Sequence, residues 1–250
     1  MNKLSLEARK IINDYLVLPF PDHTVNAPYF NNQRTKVRAA LRVLVGKGSP
    51  EDIVEEAQLI SLRDRIDLKK LNNTELKKFL VDHNLGIDCS ALTYYILDAE
   101  NRARGFGSLA KKLKFSQVKN PLRKILIKFR PIENTNVATL ADEKNSLTVS
   151  LADIRPGDLI ILWRTRADHL LNHILMVHEV DDKKISYTHS FRWSKEGIYD
   201  HGVRQGTITI INPTKPLVEQ VWEEKKQTGE NNETLKHVQM AENVEIRRLK

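Results

Sequence analysis

The sequence predicts an α+β fold, and three observations carry that expectation. Apolar side chains recur at helical spacing through the first hundred residues. From Leu147 onward the spacing becomes that of strands. Those strands follow one another through short polar turns such as Asp181-Asp182-Lys183, which suits an antiparallel sheet formed after the helices. No internal repeat is visible.

Taken in order, Leu4, Ala8, Ile11, Ile12 and the Tyr15-Leu16 pair predict an amphipathic first helix, ended by Pro19 and Pro21. A turn-rich stretch to Asn32 follows. A second helix is expected from Gln33 to Val45, with Val37, Ala40, Leu41 and Leu44 on one face and Gly46 closing it. Ser49-Pro50-Glu51-Asp52 is a strong helix start: a serine N-cap, proline at the first position, then acids at the positive end of the helix dipole. A further helix runs from Asn73 or Thr74 to Asp82 and turns at Asn84-Leu85-Gly86. Another begins at Cys89, with Asp88 as its N-cap. In the second half, Asp158 to Trp163, His173 to Val180, Lys184 to His189 and Thr207 to Ile211 read as strands, the first introduced by Arg155-Pro156-Gly157. Leu217 to Lys226 is expected to be helical, Gln227 to Glu233 a polar segment, and Val244 to Leu249 a last short strand. This divides the chain into a helical extension (1–82), a catalytic domain (83–215) with a basic insertion over about 101–146, and a C-terminal helix, polar segment and tail (216–250).

Composition narrows the class. The chain has 250 residues, 40% hydrophobic and 29% charged, as expected of a globular protein. Forty lysines and arginines against 32 acids give a net charge of +8 and favour anionic partners. The excess is local: Asn101 to Ile132 holds ten basic residues and no acidic one. Met1 to Phe20 is broken by Glu7, Arg9, Lys10 and Asp14 and lacks the apolar core of a secretory signal, and no apolar run reaches membrane-spanning length. With one cysteine there is no internal disulfide to form. These features predict a cytoplasmic protein, with an envelope location reached only by a leaderless route. The histidines and the single cysteine form no zinc-ligand spacing and there is no glycine-rich phosphate loop, so neither metal nor cofactor is expected.

The candidate chemistry centres on Cys89. A cysteine attacks as its thiolate, and a helix N-terminus favours that form through backbone N–H groups and the helix dipole. Lone cysteines are more often small buried hydrophobes. Two histidines alter the balance: His173 opens one strand and His189 closes the next, so a hairpin between them brings both rings to one end of the sheet. A sheet edge carrying a base and its orienting partner, facing a helix N-terminus that carries a thiol, is a workable Cys-His-His site. His169 is an alternative base four residues before His173. His178, an odd number of positions away, points to the other face of its strand. His23, His201 and His237 carry no spacing argument.

At these residues the chain resembles the NlpC-like cysteine peptidases, papain-like enzymes that cut the stem peptides of peptidoglycan. Asp88-Cys89-Ser90-Ala91 is similar to the family's Asp-Cys-Ser-Gly motif, with Ala91 in place of glycine. Pro156-Gly157-Asp158-Leu159 is similar to its next motif, and His173 and His189 fall at its base and orienting positions. Gly202-Val203-Arg204 resembles its closing segment. The resemblance covers about Leu85 to Ile211 and implies a thiol hydrolase acting on a peptide or peptidoglycan fragment. Asp88 and Ser90 are then expected to contact substrate, and His83 or Asn84 to supply an oxyanion donor. A related chemistry, amidase or acyl transfer on a small molecule or lipid, and a catalytically inactive binding domain are the alternatives.

Within the basic insertion, Leu122, Ile125, Leu126 and Phe129 share one helical face, with Arg123, Lys124, Lys128 and Arg130 on the others. Such a helix either packs its apolar stripe on the domain, the favoured expectation, or lies on an anionic surface. Nucleic acid is a weaker fit, because interleaved aromatics are missing.

Overall fold

A computed structural model describes residues 2–32, 41–165, 171–192, 197–224, 227–228 and 232–250. Within them the chain is a helical layer packed on one antiparallel sheet, as the α+β expectation required. The helices are α1 (Leu6–Leu16), α2 (Pro50–Asp64), α3 (Asn73–Asp82), α4 (Cys89–Ala103), α5 (Leu109–Lys112), α6 (Pro121–Phe129), α7 (Pro131–Asn134), α8 (Val137–Ala141) and α9 (Glu233–Met240). The strands are β1 (Ser146–Val149), β2 (Leu159–Trp163), β3 (His173–Asp181), β4 (Lys184–Phe191), β5 (Gly202–Thr209), β6 (Val221–Glu224), β7 (Gln227–Thr228) and β8 (Asn243–Leu249).

Helix starts follow the local chemistry. Ser49 and Asp52 form a reciprocal capping box on α2, and Asn72 and Glu75 do the same on α3. Each cap satisfies backbone N–H groups that have no partner inside the helix.

The sheet order is β1-β8-β2-β3-β4-β5-β6-β7, so the C-terminal strand sits between β1 and β2. Alternation along the strands divides the core in two. Leu159 and Ile161 of β2, Ile174 and Met176 of β3 and Val203 of β5 face a layer containing α1, α2, α3, α4 and α8. Ile160, Leu162, Leu175, Val177, Tyr187, Ile208 and Trp222 face the opposite side, covered by α9 and the single turn Leu217–Glu219. Each fully buried leucine or isoleucine in these layers contributes roughly 1.5–3 kcal/mol.

The first 82 residues share that core. Leu4, Ala8, Ile12 and Tyr15 pack with Leu92, Ile96 and the sheet. The Ser5 amide donates to Glu100 Oε2 of α4 (2.8 Å), and the Val203 amide donates to the Ala27 carbonyl (2.9 Å). A side chain at Gly202 would collide with that same carbonyl, its Cβ falling 2.0 Å from the oxygen, so glycine permits the close approach.

Several expectations change. The helix expected over 33–45 lies outside the described residues up to position 40, and Val43–Val45 is a single 3₁₀ turn. The expected helix from Leu217 to Lys226 is replaced by the Leu217–Glu219 turn and strand β6, because pairing with β5 at Ile208↔Trp222 satisfies the backbone and buries the indole. The polar segment expected over Gln227–Glu233 contains β7 and gives way to helix α9. In the basic insertion, Ile127 is the only buried one among the described side chains of α6; its predicted apolar stripe faces outward, so the expectation of a packed stripe is overturned.

Candidate active site

Cys89 is the first residue of α4. Asp88 caps the helix, its Oδ1 accepting from the Ala91 amide at 2.8 Å. The backbone leading to it is fixed on two sides: Ile87 bridges to Tyr29 and to Lys47, and the Asp88 amide donates to the Gly46 carbonyl (3.0 Å). The N-terminal third of the chain therefore positions the cysteine.

Lys47 is the residue the sequence did not disclose here. Its buried ammonium donates to Ser90 Oγ (2.8 Å) and to the Thr135 carbonyl (2.9 Å), and pairs with Asp88 Oδ2 (2.7 Å). Ser90 Oγ in turn donates to Asp88 Oδ1 (2.8 Å). Asp88 and Ser90, expected to meet substrate, are thus buried and engaged in capping and ion pairing. His83 packs tilted against Phe79 (4.5 Å between ring centres) and lies 3.7 Å from Asp64 of α2. Asn84 is exposed and supplies the left-handed turn, at φ +57°, that ends α3.

The cysteine itself is only 5% exposed. Burial, and then the neighbouring Asp88 charge, push its thiol up to about 12, against the opposing pull of Lys47 and of the Ile174 and Ser90 amides on the sulfur. The depressed pKa expected of a helix N-terminus is therefore not what this thiol has. Loss of hydration and a carboxylate at the preceding residue outweigh the dipole and the N–H groups.

His173 and His189 do meet. His173 Nε2 lies 2.8 Å from His189 Nδ1, and His189 Nε2 lies 2.9 Å from Glu224 Oε1 of β6. The carboxylate can only accept, so it sets both tautomers in turn. His189 donates from Nε2 and accepts at Nδ1, His173 donates from Nε2, and the lone pair of His173 is left at Nδ1. That nitrogen is buried and has no hydrogen-bond partner among the described residues. Burial, and then His189 and His237, hold the His173 ring well below the usual imidazole range.

Glu224 was not foreseen. Burial would raise its pKa, yet His189 and hydrogen bonds with Thr234 and Tyr187 hold it below the ordinary glutamate value. Tyr187 donates from its hydroxyl to Glu224 Oε2 at 2.8 Å. Room for that hydroxyl comes from Gly206, where a Cβ would fall 2.3 Å from it. Arg204 Nε lies 3.9 Å from the same carboxylate, and Phe191 packs against the His173 ring (4.6 Å between centres).

The sheet separates the two halves of the site. His173 pairs across with Leu162 and His189 with Arg204, so both rings lie on the α9 side, whereas Cys89 belongs to the α4 side. The sulfur meets β3 at its backbone, accepting the N–H of Ile174, one residue after the histidine.

The remaining histidines are placed elsewhere. His178 occupies the bulge between Val177 and Glu179, 3.0 Å from Thr188 Oγ1. His201 Nδ1 accepts the Tyr29 amide (3.1 Å), and His23 Nε2 lies 3.1 Å from the Leu68 carbonyl. His237 lies on α9 against Phe191, 4.7 Å between ring centres. His169 lies outside the described residues. Among the described residues no three ligating side chains converge as a metal site, and no helix is long and apolar enough to cross a membrane.

Comparison of the chain with family models, with curated proteins and with solved structures finds no match in any of the three.

Proposed function

We propose that this chain is a papain-like, NlpC-type cysteine hydrolase that opens an amide bond in a peptide of the peptidoglycan stem class, γ-linked bonds included, through a thioester on Cys89. The observation that carries the reading is the buried chain His173–His189–Glu224. It ends in a carboxylate held ionised, and it begins at an imidazole lone pair without a partner, one residue before the amide that holds the sulfur. Buried polar atoms are nearly always paired, so an orphaned lone pair at the head of a wired relay suits a group that receives a proton during turnover.

The resting pair is a neutral thiol and a neutral imidazole, because burial disfavours both charged forms. Proton transfer accompanies attack. Sγ bonds to the carbonyl carbon while its proton passes to His173 Nδ1, and Glu224 stabilises the resulting imidazolium through His189. The C–N bond then breaks and the Nδ1 proton leaves with the amine. Water adds to the thioester, again giving a proton to Nδ1, and the C–S bond breaks as that proton returns to sulfur. In this structure the ring lies on the α9 face and the sulfur on the α4 face, so attack requires the His173 ring to swing round the mouth of β3 and come within roughly 3–4 Å of the sulfur.

The test is hydrolysis of a γ-linked stem peptide by the purified chain. Wild type should release the amine and, on acid quench, carry an acyl mass on Cys89. Cys89→Ala and His173→Ala should lose turnover with an unchanged circular dichroism spectrum. Turnover retained by Cys89→Ala removes the assignment.

A further inference from the structure

We propose that helix α6 is a docking surface for an anionic lipid bilayer. Leu122, Ile125, Leu126 and Phe129 project from one side of this helix and are 54–80% exposed. At 100° per residue their side chains fall within about 100° of arc, and Ile127 points about 150° away from its centre. Ile127 is 3% exposed and, among the described side chains of α6, is the one buried against the protein. The helix is thus anchored by one side chain on its back while its apolar stripe faces solvent, the reverse of what packing on a domain produces.

Charge selects the occupant. Lys128 lies exposed on the flank of the stripe, about 110° from its centre, and Lys124 lies exposed further round, about 150° from it. Arg130 is taken by Glu133 (3.0 Å) and adds little. The helix lies in the stretch from Asn101 to Ile132, with ten basic residues and no acid. A second copy of the chain docked stripe to stripe would bring two such cationic stretches together, which like-charge repulsion opposes. Nucleic acid would use the cations but would leave four large apolar side chains in water. An anionic bilayer uses both, the stripe entering the acyl boundary and the lysines reaching headgroup phosphates along their flexible stems.

The experiment is co-sedimentation of the full chain with phosphatidylcholine vesicles and with vesicles of phosphatidylcholine and phosphatidylglycerol in equal parts. Wild type should sediment with the anionic vesicles and stay in solution with the neutral ones. Leu126→Asp with Phe129→Asp should abolish binding. Lys124→Gln and Lys128→Gln should each weaken it about fivefold, consistent with one cation near a charged surface. All four positions are exposed, so the variants should keep the wild-type circular dichroism spectrum, and Leu59→Asp, at an exposed position of α2, should bind as wild type does. Absence of binding to anionic vesicles overturns the proposal. So does equal binding to neutral vesicles with the lysine variants unaffected. A wild-type dimer in sedimentation equilibrium that Leu126→Asp with Phe129→Asp dissociates also overturns it, because the stripe is then covered by a second copy.

Discussion

Glu224 holds a negative charge where burial alone argues against one, and it does so because His189, Tyr187 and Thr234 all act on the same carboxylate. Glu224→Gln keeps an acceptor for His189 Nε2–H but removes the charge that faces the imidazolium formed at His173. In the proposed hydrolysis kcat should fall about 10²-fold with little change in KM, since the lost stabilisation exists only after the proton has moved. Glu224→Leu removes the acceptor for His189 and Tyr187 together. Each group left buried and unpaired costs roughly 1–3 kcal/mol, readable as a lower urea midpoint. Identical kcat for Glu224→Gln and wild type would show that the charge is not used. Cys89 and His173 were legible because each stands at an element boundary the sequence marks, a capped helix start and a strand opening, whereas β4 runs two residues past His189, which was expected to close it. Glu224 was not legible. Leu217, Val218, Val221 and Trp222 fit a helical face, and a four-residue strand is too short for its alternation to override that pattern.

At the scale of one element, the start of α4 is built around a buried ion pair, which a sequence cannot announce because Lys47 and Asp88 lie on different segments. The helix boundary was legible from Asp88 and the apolar run after it; the counter-ion came from the fold. Lys47 has every donor engaged, so Lys47→Met should leave the Asp88 carboxylate buried without its cation and cost about 3–5 kcal/mol, whereas Lys47→Met with Asp88→Asn should recover much of that loss. Urea unfolding of the three proteins decides the matter: a double variant no more stable than Lys47→Met would mean the pair is not the relevant unit. The same two residues act oppositely on the thiol, Asp88 raising its pKa and Lys47 lowering it. Iodoacetamide should therefore modify Cys89 faster in Asp88→Asn than in wild type at the same alkaline pH. Helix α9 shows the complementary failure of pattern reading. Glu233 and Thr234 are buried beside Leu235 and Val238, so its core-facing side looks polar in sequence.

Across the whole molecule, three histidines are held as neutral rings, His173 and the half-buried His178 on β3 and His201 just before β5, and together they set the acid limit of the fold. His173 on β3 is held well below 6.5, and His178 and His201 are each lowered to about 4, burial being the foremost cause in all three. A base whose folded pKa is depressed takes its proton first in the unfolded chain. Its contribution is therefore complete above the unfolded value of 6.5 and is lost as pH falls, down to about 4 for His178 and His201 and further for His173. Over that window each ring removes at most about 1.4 kcal/mol per pH unit. Glu224, also depressed, adds a loss of the same sign below its ordinary 4.5. Cys89 acts at the other end: its raised thiol favours the folded state up to 9.0 and withdraws that support between 9.0 and about 12. The urea midpoint should thus be highest between these limits and should drop steeply from about pH 7 to about pH 5, before most carboxylates have begun to protonate. His178→Gln and His201→Gln should each make that drop shallower, because neither replacement can take up a proton on unfolding. A midpoint that stays level from neutral pH to pH 5 in wild type would mean these rings are hydrated in solution, and a buried lone pair on His173 would then lose its physical basis as well.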